Sequence, residues 1–168
     1  MALPRIPFAP RRATATVAGT ALLAVAALAG CGGDDDGGDS RPLAHAALVA
    51  RANAACRTAS AQIARIPVAS SIEDLGEYAQ KTAAVGTTLH DELSELTPEQ
   101  PDRTSFGRYL DALARSNALL GRLQAAADAG DRAAVSEAAN EIASSQVGTY
   151  AAVAGFDACA AATQTPES

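Results

Sequence analysis

The sequence predicts an all-α fold, an antiparallel up-down four-helix bundle behind an N-terminal leader and tether. Three observations predict it. From residue 42 onward, apolar residues recur at steps of three and four over long stretches. Short corners bearing proline or glycine part these stretches, at Pro67, at Thr97-Pro98 with Pro101, and at Ala129-Gly130-Asp131. Little of the chain shows the alternation of a strand.

The first helix is expected to follow Ser40 as its N-cap, with Pro42 in the first turn, where a missing N–H is tolerated. It should run to about Ile66, because Pro67 cannot continue it. Val49, Ala52, Cys56, Ala59, Ile63 and Ile66 form its inward stripe. The second helix opens at Ser70 and Ser71, with Glu73 three beyond Ser70 completing a capping box. Ile72, Leu75, Ala79, Thr82, Gly86, Leu89, Leu93 and Leu96 then keep phase without a slip. Thr82 and Gly86 mark a close approach of helices midway. The third helix carries Phe106, Leu110, Leu113, Asn117 and Leu120, and both Thr97 and Asp102 are fit to cap it.

Gly130 suits a C-cap position and Asp131 the N-cap of the fourth helix. That helix is expected to bury Val135, Ala138, Ile142, Gln146, Thr149, Val153 and Phe156, and to meet Cys159 in the same phase. Gly148 and Gly155 weaken it. The bundle is thus read as residues 42–162, with 163–168 a disordered tail. In this topology Phe106, Tyr109 and Phe156 gather with Leu93 or Leu96 at the end where the chain enters.

Ahead of the bundle, Arg5, Arg11 and Arg12 precede an apolar run from Ala13 to Leu28, closed by Leu28-Ala29-Gly30-Cys31. A basic start, an apolar core and small residues at a cleavage point make an export signal. Its ending resembles the lipobox of bacterial lipoproteins, position for position. The resemblance implies that residues 1–30 are a signal peptide and that Cys31 becomes the acylated N-terminus, with a diacylglyceryl thioether and an N-acyl chain such as palmitate. It places the protein at the cell membrane, lipid-anchored on the extracytoplasmic face. An uncleaved anchor and an ordinary secretory signal are the alternatives, but the run falls short of the ~20 residues a spanning helix needs. Two or more acyl chains give stable anchoring where one is marginal. Residues 31–41, rich in Gly and Asp, read as a flexible tether. Their aspartates lack the terminal glutamate and the spacing of a calcium loop.

Of the 13 basic residues three precede Cys31, and all 19 acidic ones follow it. The mature chain therefore sets ten positive against nineteen negative side chains, a net of −9. Such a charge repels phosphate backbones and anionic headgroups, so nucleic-acid binding is disfavoured. Trp is absent and only Tyr78, Phe106, Tyr109, Tyr150 and Phe156 supply aromatic rings beyond Cys31, a thin basis for stacking on sugars.

Candidate sites are few. His45 and His90 are the only histidines, and neither has a glutamate three residues before it, as paired Glu-x-x-His di-metal sites require. His90 with Glu92, Glu95 and Glu99 reads as an exposed polar face, so no metal or cofactor is expected. No serine sits in a Gly-x-Ser-x-Gly elbow or a Ser-x-x-Lys arrangement, and no catalytic residue is assigned. Asn53 and Asn117 lie beside or on inward stripes, where a buried amide fixes register or lines a polar pocket. With Cys31 acylated, Cys56 and Cys159 remain as an even pair in an oxidising compartment, and they are expected to form a disulfide. A straight fourth helix would hold them too far apart. A break near Gly155-Phe156 is therefore expected.

Ala52-Asn53-Ala54-Ala55-Cys56-Arg57, Leu93 to Pro98, Ala129-Gly130-Asp131-Arg132 and Gly155-Phe156-Asp157-Ala158-Cys159 together resemble a group of small helical lipoproteins from high-GC actinobacteria. The resemblance implies the helical fold and the Cys56–Cys159 pairing, and it carries no activity. Two function classes follow. The first is a non-enzymatic envelope lipoprotein whose bundle surface contacts another envelope protein. The second is a bundle that binds a small ligand or metal in an internal pocket. A cavity lined by Tyr109, Asn117 and Gln146 favours the second; a filled Ala/Leu core favours the first. Alanine-rich helices pack closely and should leave little room, which favours the first.

Overall fold

A computed structural model describes residues 41–163. The leader, the lipidation candidate Cys31, the tether up to the Ser40 cap, and residues 164–168 lie outside the described residues. The described chain is all-α. Its helices are α1 (His45–Ile63), α2 (Ile72–Ser94), α3 (Arg103–Asp128), α4 (Arg132–Ala143), α5 (Val147–Val153) and α6 (Asp157–Ala162), with a 3₁₀ turn at Gln100–Asp102 leading into α3. Among the described residues no helix is long and apolar enough to cross a membrane.

The first helix starts at His45 rather than near residue 42. Pro42 and Leu43 stay out of it because Leu43 pairs with the α2–α3 corner instead. Its N–H donates to Thr97 O at 2.7 Å and its carbonyl accepts from Glu99 N–H at 3.1 Å. Leu48, Ala52, Cys56 and Ala59 then form the buried face of α1. The cap of α2 also falls one residue later than the sequence pattern suggests. Ser71 Oγ accepts from Asp74 N–H at 3.1 Å, and Asp74 Oδ2 accepts from the Ser70 hydroxyl at 2.6 Å and from Ser70 N–H at 3.2 Å. The reciprocal logic is that of a capping box, with Asp74 in the role expected of Glu73. The Ser70 hydroxyl, more than any other donor, holds the Asp74 carboxyl below its ordinary range.

At the far end of α3, Gly130 adopts φ +66°, with Gly130 N–H donating to Ala127 O and Asp131 N–H to Ala126 O, both at 2.9 Å. This Schellman turn satisfies carbonyls that a helix end leaves unpaired. Asp131 caps α4 as expected, accepting from Ala133 and Ala134 N–H at 3.0 and 3.1 Å.

The expected fourth helix is three helices. The first break, at Ser144–Gln146, has no counterpart in the sequence reading. Ser144 turns its hydroxyl onto Glu141 O at 3.0 Å, and Gln146 takes the left-handed conformation at φ 57°. A straight helix would bury Gln146, Thr149 and Val153. The break exchanges them for Val147, Ala151 and Ala154, leaving Val153 70% exposed. The second break lies at Gly155, where the sequence places it. Gly155 has φ +78°, its N–H donates to Ala152 O at 3.0 Å, and Phe156 N–H donates to Ala151 O at 2.8 Å, a second Schellman turn.

That turn swings α6 onto α1 and brings Cys159 to Cys56. The two are disulfide-bonded with Cα atoms 5.1 Å apart. Asn53 Oδ1 of α1 accepts from Ala158 N–H at 2.8 Å, capping an α6 start that has no side-chain cap of its own. Two apolar clusters result. The larger joins Leu48, Leu93, Phe106, Tyr109 and Phe156 with half-buried Leu96, so the aromatic group gathers where expected. Phe156 stands edge-on to Phe106 at 6.0 Å and to Tyr109 at 5.4 Å. The smaller joins Ala79, Leu123 and Ala138, with Leu75 and Val135 packed against it.

Candidate ligand cavity

The two clusters do not close on each other. Between them lies a partly open cavity of about 1100 Å³, walled by Leu89 and Leu113 from the larger and by Leu120, Leu123 and Ile142 from the smaller. Its origin is in the sequence. Ala59, Gly86, Ala139, Ala143, Ala152 and Ala160 face it, and their short side chains cannot fill the space between long helices. The break at Ser144–Gln146 adds to the effect, because it lets α4 pack on α3 while α6 packs on α1. The expectation of close alanine packing with little room is thus corrected: the interruption of the fourth segment keeps its two halves from converging.

Among the described residues no Asp, Glu, Lys, Arg or His lines the cavity. Its polar groups are hydroxyls and amides, among them Thr82, Ser116, Asn117 and Gln146. Thr82 Oγ1 is buried without a hydrogen-bond partner, the one such side-chain oxygen or nitrogen among the described residues. A helical threonine can satisfy itself by turning its hydroxyl back to the carbonyl four residues earlier. Thr87 and Thr88 on the exposed side of α2 do so, at 2.9 and 3.2 Å, and Thr82 does not.

One turn along α2, Gly86 packs directly on the Asn117 side chain of α3. Tyr109, only 1% exposed, forms the floor at the disulfide. Its hydroxyl lies 3.5 Å from Cys56 Sγ, and since that sulfur has no proton the tyrosine is the donor. Burial pushes the phenol up to about 12, so the group stays a neutral donor.

Tyr109, Asn117 and Gln146, the set that the sequence names as the mark of a pocket, all reach the lining. Asn53 does not; its amide fixes the seat of α6, the register role. The sequence marks Thr82, with Gly86, only as a polar or small member of the α2 stripe at a close helix approach. Its signal was a hydroxyl on an otherwise apolar stripe. On the opposite side, His90 is half-buried with Nδ1 3.6 Å from Asp91 Oδ1, and Glu92, Glu95 and Glu99 are exposed. Among the described residues no group of three or more His, Cys, Asp or Glu is placed to hold a metal ion. No family model, curated protein or solved structure matches the chain.

Proposed function

We propose that this chain is an extracytoplasmic lipoprotein, anchored through Cys31, whose helical bundle holds a small apolar ligand without performing chemistry on it. The carrying observation is the cavity lined by Tyr109, Asn117 and Gln146. Its size is just above the ~300–1,000 Å³ typical of ligand pockets, and its mostly apolar wall with a few polar groups is the usual makeup of such sites. The reading of a surface that contacts another envelope protein has less support, since the cavity is what distinguishes this bundle from a filled one. In the up-down topology, α1, α2 and α3 supply three long elements and α4 to α6 together supply the fourth. The lipobox resemblance supports the anchored, extracytoplasmic setting.

The test is photoaffinity labelling of the full-length chain in membranes with a diazirine-bearing alkane. Label is expected on peptides containing Leu113, Leu120 or Ile142, and loss of it is expected in Ala139→Trp, whose indole fills the cavity. Label spread over exposed residues such as Val68, unchanged in that variant, would overturn the reading.

A further inference from the structure

We infer that the break between α4 and α5 is a reversible hinge: the two helices join into one to close the cavity, and an apolar ligand holds them apart. The inference rests on the ligand-cavity reading above and adds how that site opens and shuts.

The sequence of this segment carries a face for each form. An α-helix turns about 100° per residue. Were α4 to continue unbroken, Thr149 and Val153 would fall within about 20° of Ile142, which lines the cavity. Val147 and Ala151, which the broken form buries, would then stand about 140° and 180° away from Ile142. The broken form in turn leaves Val153 at the cavity rim, 70% exposed. Each form therefore buries one face at the expense of the other.

The broken form is also held against local preference. Ser144, Ser145 and Gln146 include neither glycine nor proline, so nothing in the backbone chemistry enforces a stop. Gln146 is the one non-glycine residue with positive φ among the described residues, a conformation that a Cβ disfavours. No side chain caps α5, and its first turn leaves the amides of Val147, Gly148 and Thr149 without intrahelical carbonyls. Joining the helices would give those amides the carbonyls of Ala143, Ser144 and Ser145 and return Gln146 to the helical region. Strain kept at the edge of a cavity, with a second packing available, is the usual setting of a switch.

The lining lies on both sides of the break, with Ala139 and Ile142 from α4 and Gly148 and Ala152 from α5. Joining therefore reshapes the cavity, turning Thr149 and Val153 onto the Ile142 face and into the space a ligand needs. A ligand that fits only the broken form shifts the balance toward it. The disulfide keeps α6 on α1 throughout, so the movement is taken up at Gly155, a glycine already in the left-handed region.

The test is hydrogen exchange read by mass spectrometry on the full-length chain in membranes, with the diazirine alkane as the ligand probe. The triple change Ser144→Ala, Ser145→Ala and Gln146→Ala favours the joined helix through helix propensity, whereas Gln146→Gly favours the break. Amides 147–149 should exchange at least about five-fold more slowly in the triple variant than in Gln146→Gly, the scale of the summed propensities. Saturating alkane should restore fast exchange in the triple variant, the reverse of the protection that bound ligands ordinarily confer. The triple variant should also need about five-fold more alkane for half-maximal labelling of the cavity peptides. Equal exchange of these amides in the two variants overturns the hinge. Slow exchange that alkane leaves unchanged, with the cavity still labelled, overturns the coupling of hinge to ligand while the cavity reading stands. No labelling of the cavity in the unaltered chain or in Gln146→Gly overturns the cavity reading, and this inference falls with it.

Discussion

A Cβ on Gly86 would overlap Asn117 Oδ1, so α2 and α3 meet at this level through space that only a glycine leaves free. Alanine at this position gains ~1 kcal/mol of helix propensity but forces the amide to move. The cavity beside Asn117 gives it somewhere to go. Gly86→Ala is therefore expected to change stability by less than about 1 kcal/mol, whereas Gly86→Leu, whose bulk cannot be absorbed, should cost about 1–3 kcal/mol. Combining Gly86→Ala with Asn117→Ala should be more stable than the sum of the single changes. Denaturant melts of the four species read this as a double-mutant cycle, and simple additivity would reject the contact.

The disulfide closes a loop with a sequence separation of 103. For a loop of that length the chain-entropy model gives about 4–5 kcal/mol, and bridges commonly deliver 2–4. Reduction, or Cys56→Ala with Cys159→Ala, should lower unfolding free energy by about 2–4 kcal/mol. Hydrogen exchange should accelerate first in α6, which is held to α1 by the bridge and by Asn53. Uniform acceleration through α2 and α3 would show that α6 is not a separate unit.

Two left-handed residues make opposite predictions. Gly155 adopts φ +78° and a Cβ there would make only ordinary contact with Val49, so the penalty of Gly155→Ala is the backbone's, about 1–2 kcal/mol. Gln146 bears that penalty already at φ 57°. Gln146→Gly relieves it at the expense of extra entropy in the unfolded chain, for a net gain of up to about 1 kcal/mol. Thermal melts of both variants should move in opposite directions.

Tyr109 gives a pH signature. Its phenol is raised from 10.0 to about 12 by burial, so the folded state favours the protonated form. The stability tied to this preference is fully present below pH 10 and is lost as pH rises through 12; two pKa units correspond to about 2–3 kcal/mol. The ultraviolet titration difference between the native protein and Tyr109→Phe should have its midpoint near 12. A midpoint near 10 would mean that the ring is open to water.

Most of the fold is legible in the sequence because its signals are local. The stripe from Ile72 to Leu96 follows from side chains one turn apart, and Gly130-Asp131 and Gly155 are needed by the backbone where they stand. The cavity is less legible. Tyr109, Asn117 and Gln146 could be named as its mark, but whether helices converge over alanines depends on the whole path of the fourth segment. The decisive break lies in Ser144-Ser145-Gln146, which contains neither glycine nor proline. What favours it is the exchange of Gln146 and Thr149 for Val147 and Ala151 in the core, a tertiary gain that no window of sequence displays.

The short pairing of Leu43 with the α2–α3 corner bears on mechanics. Tension arriving along the chain at Arg41 meets the Leu43–Thr97 and Leu43–Glu99 hydrogen bonds before it reaches the first turn of α1. His45 Nδ1, 3.0 Å from Asp102 Oδ1, adds a third link at the same end. The load is thereby divided between α1 and the joint from which α2 and α3 depart, and α1 is not peeled from its N-terminus alone. A protein drawn by its leading end would be pulled through that joint, with the walls of its cavity sheltered from the strain.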